Sequence, residues 1–505
     1  MWVGLQRRNV AAIAHYTGTL VAALAAIMLI PLIVSLAAGE WDVALDYFLA
    51  VGVTAFIGAL LSTAAPQAPQ LTRRDALIVS ALAWAAAALV GAIPLALSGN
   101  YGGYLDALFE SMSGFTTSGL SLTQNLDHLA IGHNMWRHLM HLLGGQGIIV
   151  AALSLAFGMR RGGAVSLYQA EGRDEKILPN VVHTTRFIWF VTAVYVVLGT
   201  LVLSIANLAH GMEVGRGILH AFWATIACYD TGGFGPQSMN ALYYHSPVFE
   251  IVTVMLMIAG TLNFNLHADI WRGDPGELFS NIEARALALN IAVLSIAVGA
   301  GLAATELYTG SSEIIRKGVY HVLSANSGTG HQTLYAAQWT RGFGGLGFAA
   351  VILAMAFGGM ASSTAGGIKA LRIGLITKGV LLQAREAIAP SSAVVKQRYH
   401  HLVDRTLTPE VLAAALTIFM LYGVTYITGG LIGAMYGYPA GEALFESVSA
   451  TANVGLSTGI TNPAMPNGLK VVYIIQMWAG RLEFIALLAL IASVLASFSR
   501  KAVRR

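Results

Sequence analysis

Four short stretches of this chain share one arrangement of small, hydroxylic and glycine residues. Ser113 to Gly119, Ala227 to Gly233, Ser324 to Gly330 and Ser449 to Gly455 each begin on a small residue and close on glycine. The same step ahead of each small residue stands an aromatic: Phe109, Trp223, Tyr320 or Phe445. Glycine at a turn permits φ > 0, so successive carbonyl oxygens can face one direction. Rings of backbone carbonyls can replace the hydration shell of a cation. The candidate cation-binding residues are therefore Thr116, Thr117, Ser118 and Gly119; Thr231, Gly232 and Gly233; Gly328, Thr329 and Gly330; and Asn453, Val454 and Gly455. Asp230 is the one acidic residue in these loops, which argues for a monovalent ion over a divalent one.

Such backbone needs a membrane around it to be informative, and the composition supplies one. The 505 residues are 56% hydrophobic and 11% charged, with a mean hydropathy of +0.66. Soluble domains carry about 25% charged residues. Long uncharged runs read as membrane helices, each needing about 20 residues. The net charge of +4 does not point to nucleic acid, because the basic residues lie between apolar runs, as topology signals do. Cys228 is the single cysteine, so no intrachain disulfide can form and a Cys-rich metal site is excluded.

Apolar runs at 10–38 and 44–64 come first. The first is too long for a signal peptide and reads as a retained helix. Four similar units follow, with paired spans at 76–98 and 135–158, 187–208 and 247–270, 283–305 and 339–359, and 408–430 and 470–498. Between each pair lies a shorter apolar segment, at 104–118, 216–229, 313–326 and 440–452, that ends on a glycine loop. These segments cannot cross a bilayer and read as re-entrant half-helices. Non-helical backbone at that depth is tolerated where it lines a cavity or is buried in protein. The half-helix C-termini direct negative dipole ends toward the centre.

The expected fold is an all-α membrane protein of about ten transmembrane helices. Two are N-terminal, and four helix–pore-loop–helix repeats surround a pseudo-fourfold pore. The expected divisions are an extension at 1–70 and repeats at 71–165, 180–275, 278–390 and 400–505. Arg73 and Arg74, Arg160, Arg161, Arg173 and Lys176, the segment from Lys369 to Arg405 and the tail at 500–505 place both termini inside. Arg137, Arg216, Arg316, Lys317, Arg341 and Lys470 fall on the other side.

A second pattern lies in the helices after the loops. Each carries a small pair: Gly144-Gly145, Ala259-Gly260, Gly358-Gly359 or Ala479-Gly480. A mid-helix glycine costs about 1 kcal/mol relative to alanine, so here it allows a bend or a close approach beneath the loops. The third unit reads Gly-Gly-Met-Ala-Ser-Ser-Thr-Ala-Gly-Gly-Ile-Lys from 358 to 369, which cannot hold an apolar helix. A break in mid-membrane with a flexible polar loop facing the cavity is expected, making Gly358, Gly359, Ser362, Ser363, Thr364, Gly366, Gly367 and Lys369 candidate gating residues. No Walker pattern accompanies these glycines. Arg481 sits in an apolar run, and a charge there is a functional hypothesis by default. It could stand in the cavity as a barrier to a leaving cation, since Glu483 lies on another face of the helix.

At this point the chain resembles the Trk/Ktr/HKT superfamily of potassium transporters. The loop at 358–369, the run Gly480-Arg481-Leu482-Glu483 and the four glycine stretches carry the resemblance, and the two leading helices make it most similar to the TrkH/TrkG branch. The resemblance implies potassium uptake through a gated, carbonyl-lined filter, with the key glycines at Gly119, Gly233, Gly330 and Gly455. Family members with serine at the first position tend to pass sodium, so Gly119 implies potassium. It further implies a gating loop at 358–367 ending at Lys369, a pore-facing Arg481, a homodimer in the bacterial cytoplasmic membrane, and a cytosolic nucleotide-binding ring protein of the TrkA type as partner. No cofactor is expected, K⁺ being the transported ion, and lipid is the other partner. Two departures bear on fine selectivity: Tyr229-Asp230 before the second loop and His331 after the third, where His331 could make flux pH-sensitive.

Proton- or sodium-coupled symport and the potassium-binding subunit of an ATP-driven pump are the alternatives. Coupled transporters usually carry intramembrane carboxylates, and Glu483 is the main one read in the apolar runs. No His-Glu-x-x-His, paired aspartates or nucleophile arrangement marks an enzyme. His133, His138 and His141 could offer zinc ligands, but no cysteine or carboxylate shares their face.

Overall fold

The structure is a computed structural model describing residues 7–65, 71–147, 167, 170, 181–308, 310–336, 338–390, 392–393 and 395–503. Among these residues six helices are long and apolar enough to cross a membrane. Two more pairs, joined at bends of 105° and 110°, bring the number to eight. The expected span at 135–158 is helical over Ile131–Gln146, and its continuation lies outside the described residues, as do Arg160, Arg161, Arg173 and Lys176.

The long helices show why they belong in lipid. Leu289, Val293 and Ile296 on Ile282–Ala304 are exposed, as are Val424, Ile427 and Leu431 on Pro409–Met435. Their spacing makes a continuous outward apolar stripe, which a water-facing surface does not carry at this length. The shorter helices Tyr104–Phe115, Val214–Tyr229, Ser311–Ser327 and Ala440–Ala452 lie inside this shell. Their aromatics are the anchors: Phe109 and Phe445 are fully buried, and Trp223 and Tyr320 nearly so.

Two expected spans are corrected. The run at 247–270 breaks after Thr261, where Asn263 caps a new helix, Phe264–Trp271, by accepting the Asn265 N–H at 2.8 Å. The run at 470–498 breaks at Leu482–Phe484. There Phe484 N–H bonds back to Ala479 O at 3.0 Å and Glu483 N–H to Gly480 O at 3.0 Å. That bond pair is a Schellman ending, which requires the left-handed Glu483 at φ 49°, and Phe484 after it is left-handed too at φ 68°. The apolar pattern runs through both breaks. The third unit breaks where expected: Gly344–Ala356 ends, an irregular segment follows, and Ala370–Ile388 resumes.

One element departs from an all-helical chain. Strands Arg398–His401 and Val403–Thr406 form an antiparallel hairpin. Its turn docks on Glu277, whose Oε1 accepts the Leu402 N–H at 3.0 Å. His400 bridges the docked pair, with Nδ1 2.7 Å from Asp404 Oδ1 and Nε2 2.8 Å from Glu277 Oε2.

The hydrogen bonds to Asp404 and then to Glu277 raise the His400 pKa above its ordinary 6.5. A raised imidazole pKa supports docking fully below 6.5 and loses that support as pH rises through the raised value. Solvent screens the contribution, the His400 side chain being 32% exposed. A nitroxide at the exposed Val403 is therefore expected to gain mobility as pH rises above neutrality. His400→Asn is expected to give the mobile spectrum at every pH, and a flat profile in the parent would contradict this account.

Candidate functional site

The repeated stretch has a structural cause. At the end of each short helix, the carbonyl of the repeated small residue accepts an N–H from the loop. Ser118 bonds to Ser113 O at 2.8 Å, Gly232 to Ala227 O at 2.8 Å, Thr329 to Ser324 O at 3.0 Å and Val454 to Ser449 O at 2.9 Å. One residue earlier, the N–H groups of Thr117, Thr231, Gly328 and Asn453 donate to the carbonyls of Gly114, Cys228, Ala325 and Ala450. These are four Schellman endings. Each puts its cap residue in the left-handed region, at φ 55° for Thr117, 50° for Thr231, 76° for Gly328 and 56° for Asn453. Two of the four caps are β-branched threonines, for which that region is strained.

Two residues on, the chain turns left-handed again at Gly119, Gly233, Gly330 and Gly455, with φ 71°, 80°, 76° and 100°. These four glycines form a closed circuit. A Cβ on Gly119 would come within 2.6 Å of Gly232 O, and one on Gly455 within 2.6 Å of Ser118 O. A Cβ on Gly233 would overlap Thr329 O, and one on Gly330 would overlap Val454 O. The first loop thus abuts the second, the second the third, the third the fourth, and the fourth the first. Side-chain bonds add to the circuit: Asn453 Nδ2 donates to Ser118 Oγ at 2.8 Å, and the hydroxyls of Thr116 and Ser118, like those of Ser327 and Thr329, pair at 2.8 Å. All thirteen candidate loop residues meet here.

Beneath the circuit, the small pairs permit contact. A Cβ on Gly144 would overlap Phe115 O, one on Gly260 Tyr229 O, and one on Gly480 Thr451 O. In the third unit Asn326 takes over, its Nδ2 donating to Phe357 O. The segment from Gly358 to Gly367 is threaded through this layer and held by backbone bonds. Met360 N–H donates to Thr261 O at 3.2 Å and Thr364 N–H to Gly260 O at 3.2 Å. The Thr364 hydroxyl lies 3.2 Å from Thr231 Oγ1 and donates to Gly260 O at 2.8 Å. Glu283 Oε1 accepts the Ala361 N–H at 2.8 Å. The expected flexible loop is thus a pinned one in this conformation.

Arg481 lies across the same layer. Its guanidinium donates to Thr364 O at 2.8 Å, to Thr117 Oγ1 at 3.1 Å and to Gly144 O. With Ser362, Ser363, Gly366 and Lys369 it lines a cavity of about 50 Å³, room for a few waters. Lys369, read from sequence as the end of the gating loop and the start of a cytoplasmic basic segment, is buried and donates to Ala365 O. Glu483 pairs with Arg372, not with Arg481.

Several sequence expectations shift. Buried carboxylates are more numerous than the apolar runs suggested: Glu110, Asp106, Glu250 and Glu446 are all enclosed. Glu110 is bound to Arg137 at 2.8 Å, Asp106 to Lys470 at 2.6 Å and Glu250 to Arg316 at 2.6 Å, so they act as fixed ion pairs. His331 is not an open mouth residue. It is buried, with Nδ1 3.2 Å from Cys228 Sγ. Asp230 is buried too, accepting from Gln146 Nε2 at 2.7 Å. Of the three histidines, His133 meets Tyr47, while His138, stacked on Trp223, lies edge-on to His141, which stacks on Phe234.

A family model described as TrkH, cation transport protein, matches residues 47–499. An uncharacterised cation transporter of Methanocaldococcus jannaschii is 31% identical over 97% of each chain. The Trk system potassium uptake protein TrkH of Halomonas elongata is 28% identical over 92% of this chain and 94% of its own. The crystal structure of the potassium transporter TrkH from Vibrio parahaemolyticus superposes with a TM-score of 0.80 at 23% identity, covering 95% of this chain and 97% of that one.

The close approach of helix to loop can be tested directly. Gly480→Ala is expected to cost about 1–3 kcal/mol by overpacking against Thr451 O and to lower the thermal unfolding midpoint of the detergent-purified protein. Gly423→Ala, which meets nothing within 4 Å, is expected to leave it unchanged or raised. Equal midpoints for both variants would contradict the packing described.

Proposed function

We propose, for a chain that belongs to the TrkH family of cation transport proteins, that potassium crosses the membrane through the circuit of four glycine loops. The observation that carries this reading is the closure of that circuit by Gly119, Gly233, Gly330 and Gly455, each left-handed and each against the next loop's backbone. Left-handed residues alternating with ordinary ones aim successive carbonyls to one side, and four such edges around one axis coordinate a dehydrated ion. The short helices end at the circuit, so their negative dipole ends add to the attraction. Relatives named as potassium uptake proteins supply the identity of the ion.

In this reading the segment 358–367 and Arg481, which lie beneath the loops, close passage beyond them. Both must move, or Arg481 must turn aside, for an ion to leave toward the cavity. A fixed positive charge at that point opposes a cation more strongly than in water because little solvent screens it. Three buried carboxylates, Glu110, Asp106 and Glu250, are held in ion pairs and are poor proton carriers, whereas Glu446 accepts from hydroxyls and a backbone N–H and Asp230 from Gln146; proton or sodium coupling stands as the second reading beside passive, gated flow. Assembly as a homodimer with a cytosolic nucleotide-binding ring protein, and the division into an extension and four repeats, belong to the same proposal.

Rubidium and sodium fluxes in liposomes test it. Gly119→Ser places a side chain against Gly232 O and is expected to lower the rubidium-to-sodium ratio roughly tenfold, an effect of about 1.4 kcal/mol. Arg481→Ala is expected to raise rubidium flux several-fold. Absence of any cation flux from both the parent protein and Arg481→Ala would contradict the pore, and an imposed proton gradient that drives uptake would favour symport.

A further inference from the structure

The residue after each repeated aromatic has a different fate in one unit of the four. In the first unit Glu110 Oε2 accepts the Leu122 N–H at 2.8 Å. In the fourth, Glu446 Oε1 accepts the Thr458 N–H at 2.8 Å. In the third, His321 Nε2 accepts the Thr333 N–H at 3.1 Å while Nδ1 faces Lys317 O at 2.6 Å. The register is common to all three: the acceptor follows the aromatic directly, and the donor stands three residues past the loop glycine. Each bond ties the strand leaving a loop to the helix entering it, behind the backbone edge that meets the axis.

The second unit lacks both halves of this strut. Its acceptor position holds Ala224 and its donor position holds Pro236, which has no N–H. Within the unit Asn240 Nδ2 donates to Gly233 O at 3.1 Å, and beyond the glycine the segment is held from the first unit. Arg137 donates to Gly235 O at 3.2 Å, and its guanidinium lies 4.1 Å from the centre of the Phe234 ring. Arg137 Nε in turn donates to Glu110 Oε1 at 2.8 Å, with both side chains fully buried.

We infer that Glu110, His321 and Glu446 are positioning residues for ion discrimination, and that Arg137 supplies the strut missing from the second loop by hanging it on Glu110. This rests on the reading of the loops as the ion pathway. Discrimination between ions of one charge depends on how firmly the coordinating oxygens are held and how many face the ion. A loop freed from its strut can follow an ion of another size, so losing a strut costs discrimination before it costs passage. A carboxylate suits this place because one group takes several donors: Glu446 also accepts from Ser457 and Thr461. A side chain that merely fills the core would change the amount of folded protein and leave the ratio of ions carried by each molecule alone.

The test uses the full chain in liposomes, with the folded fraction measured by size-exclusion chromatography and rubidium and sodium fluxes read in parallel. His321→Ala is expected to lower the rubidium-to-sodium ratio roughly tenfold, the worth of one hydrogen bond. His321→Gln offers an amide oxygen to the Thr333 N–H and is expected to restore most of the ratio. Arg137→Lys keeps a charge beside Glu110, loses the guanidinium fork, and is expected to lower the ratio as well. Fluxes of both ions that fall together at an unchanged ratio in all three variants would overturn the inference. A parent protein and an Arg481→Ala variant that both pass neither ion would instead overturn the pathway reading on which it rests.

Discussion

The fold depends on one constraint: four helix ends meet at a point where there is no room for side chains. Each ending must satisfy its last carbonyls, turn twice through the left-handed region and leave a backbone edge against its neighbour. The Schellman bonds to Ser113, Ala227, Ser324 and Ser449 do the first. The glycines do the last, because any Cβ at Gly233 or Gly330 would overlap the next loop. Everything outside this point can be read as what holds it: buried aromatics anchoring the short helices, glycines in the following helices letting them come close beneath, and ion pairs locking the flanks.

Two of those ion pairs, Glu110–Arg137 and Asp106–Lys470, sit where water cannot compensate a loose charge. Glu110 and Arg137 are both fully buried, and removing one partner of such a pair commonly costs about 3–5 kcal/mol because the other is left unpaired. Arg137 also donates to Gly235 O, so the charge that Glu110 holds in place links the first unit to the second. On the other side of the circuit, Arg481 spreads its donors over Thr364, Thr117 and Gly144. It thereby ties the broken third unit to the base of the first.

Much of this was legible in the sequence, and for definite reasons. The glycine loops recur because backbone geometry at the axis admits one residue type, and a constraint on residue type leaves a visible repeat. The break at Gly358–Gly367 was legible because glycine and serine cannot sustain an apolar helix. The bends at Leu262–Asn263 and Leu482–Phe484 were not, since the apolar run passes through both and the turn is made by a capping asparagine and by left-handed Glu483 and Phe484. The struts were not legible either: donors so far along the chain from Glu110, His321 and Glu446 show no periodicity. The pairing of Ala224 with Pro236 becomes meaningful when the other three units are laid beside it. Lys369, expected from sequence both to end the gating loop and to open a cytoplasmic basic segment, has a buried stem and an ammonium bonded to Ala365 O.

The central claim is that backbone oxygens from the four loops share one ion. Anomalous diffraction from crystals grown in rubidium tests it most directly. The account predicts rubidium peaks on the axis enclosed by Gly119, Gly233, Gly330 and Gly455, with oxygens of all four loops around them. Rubidium bound away from that axis, at Asp230 or another carboxylate with the loops unoccupied, would contradict it.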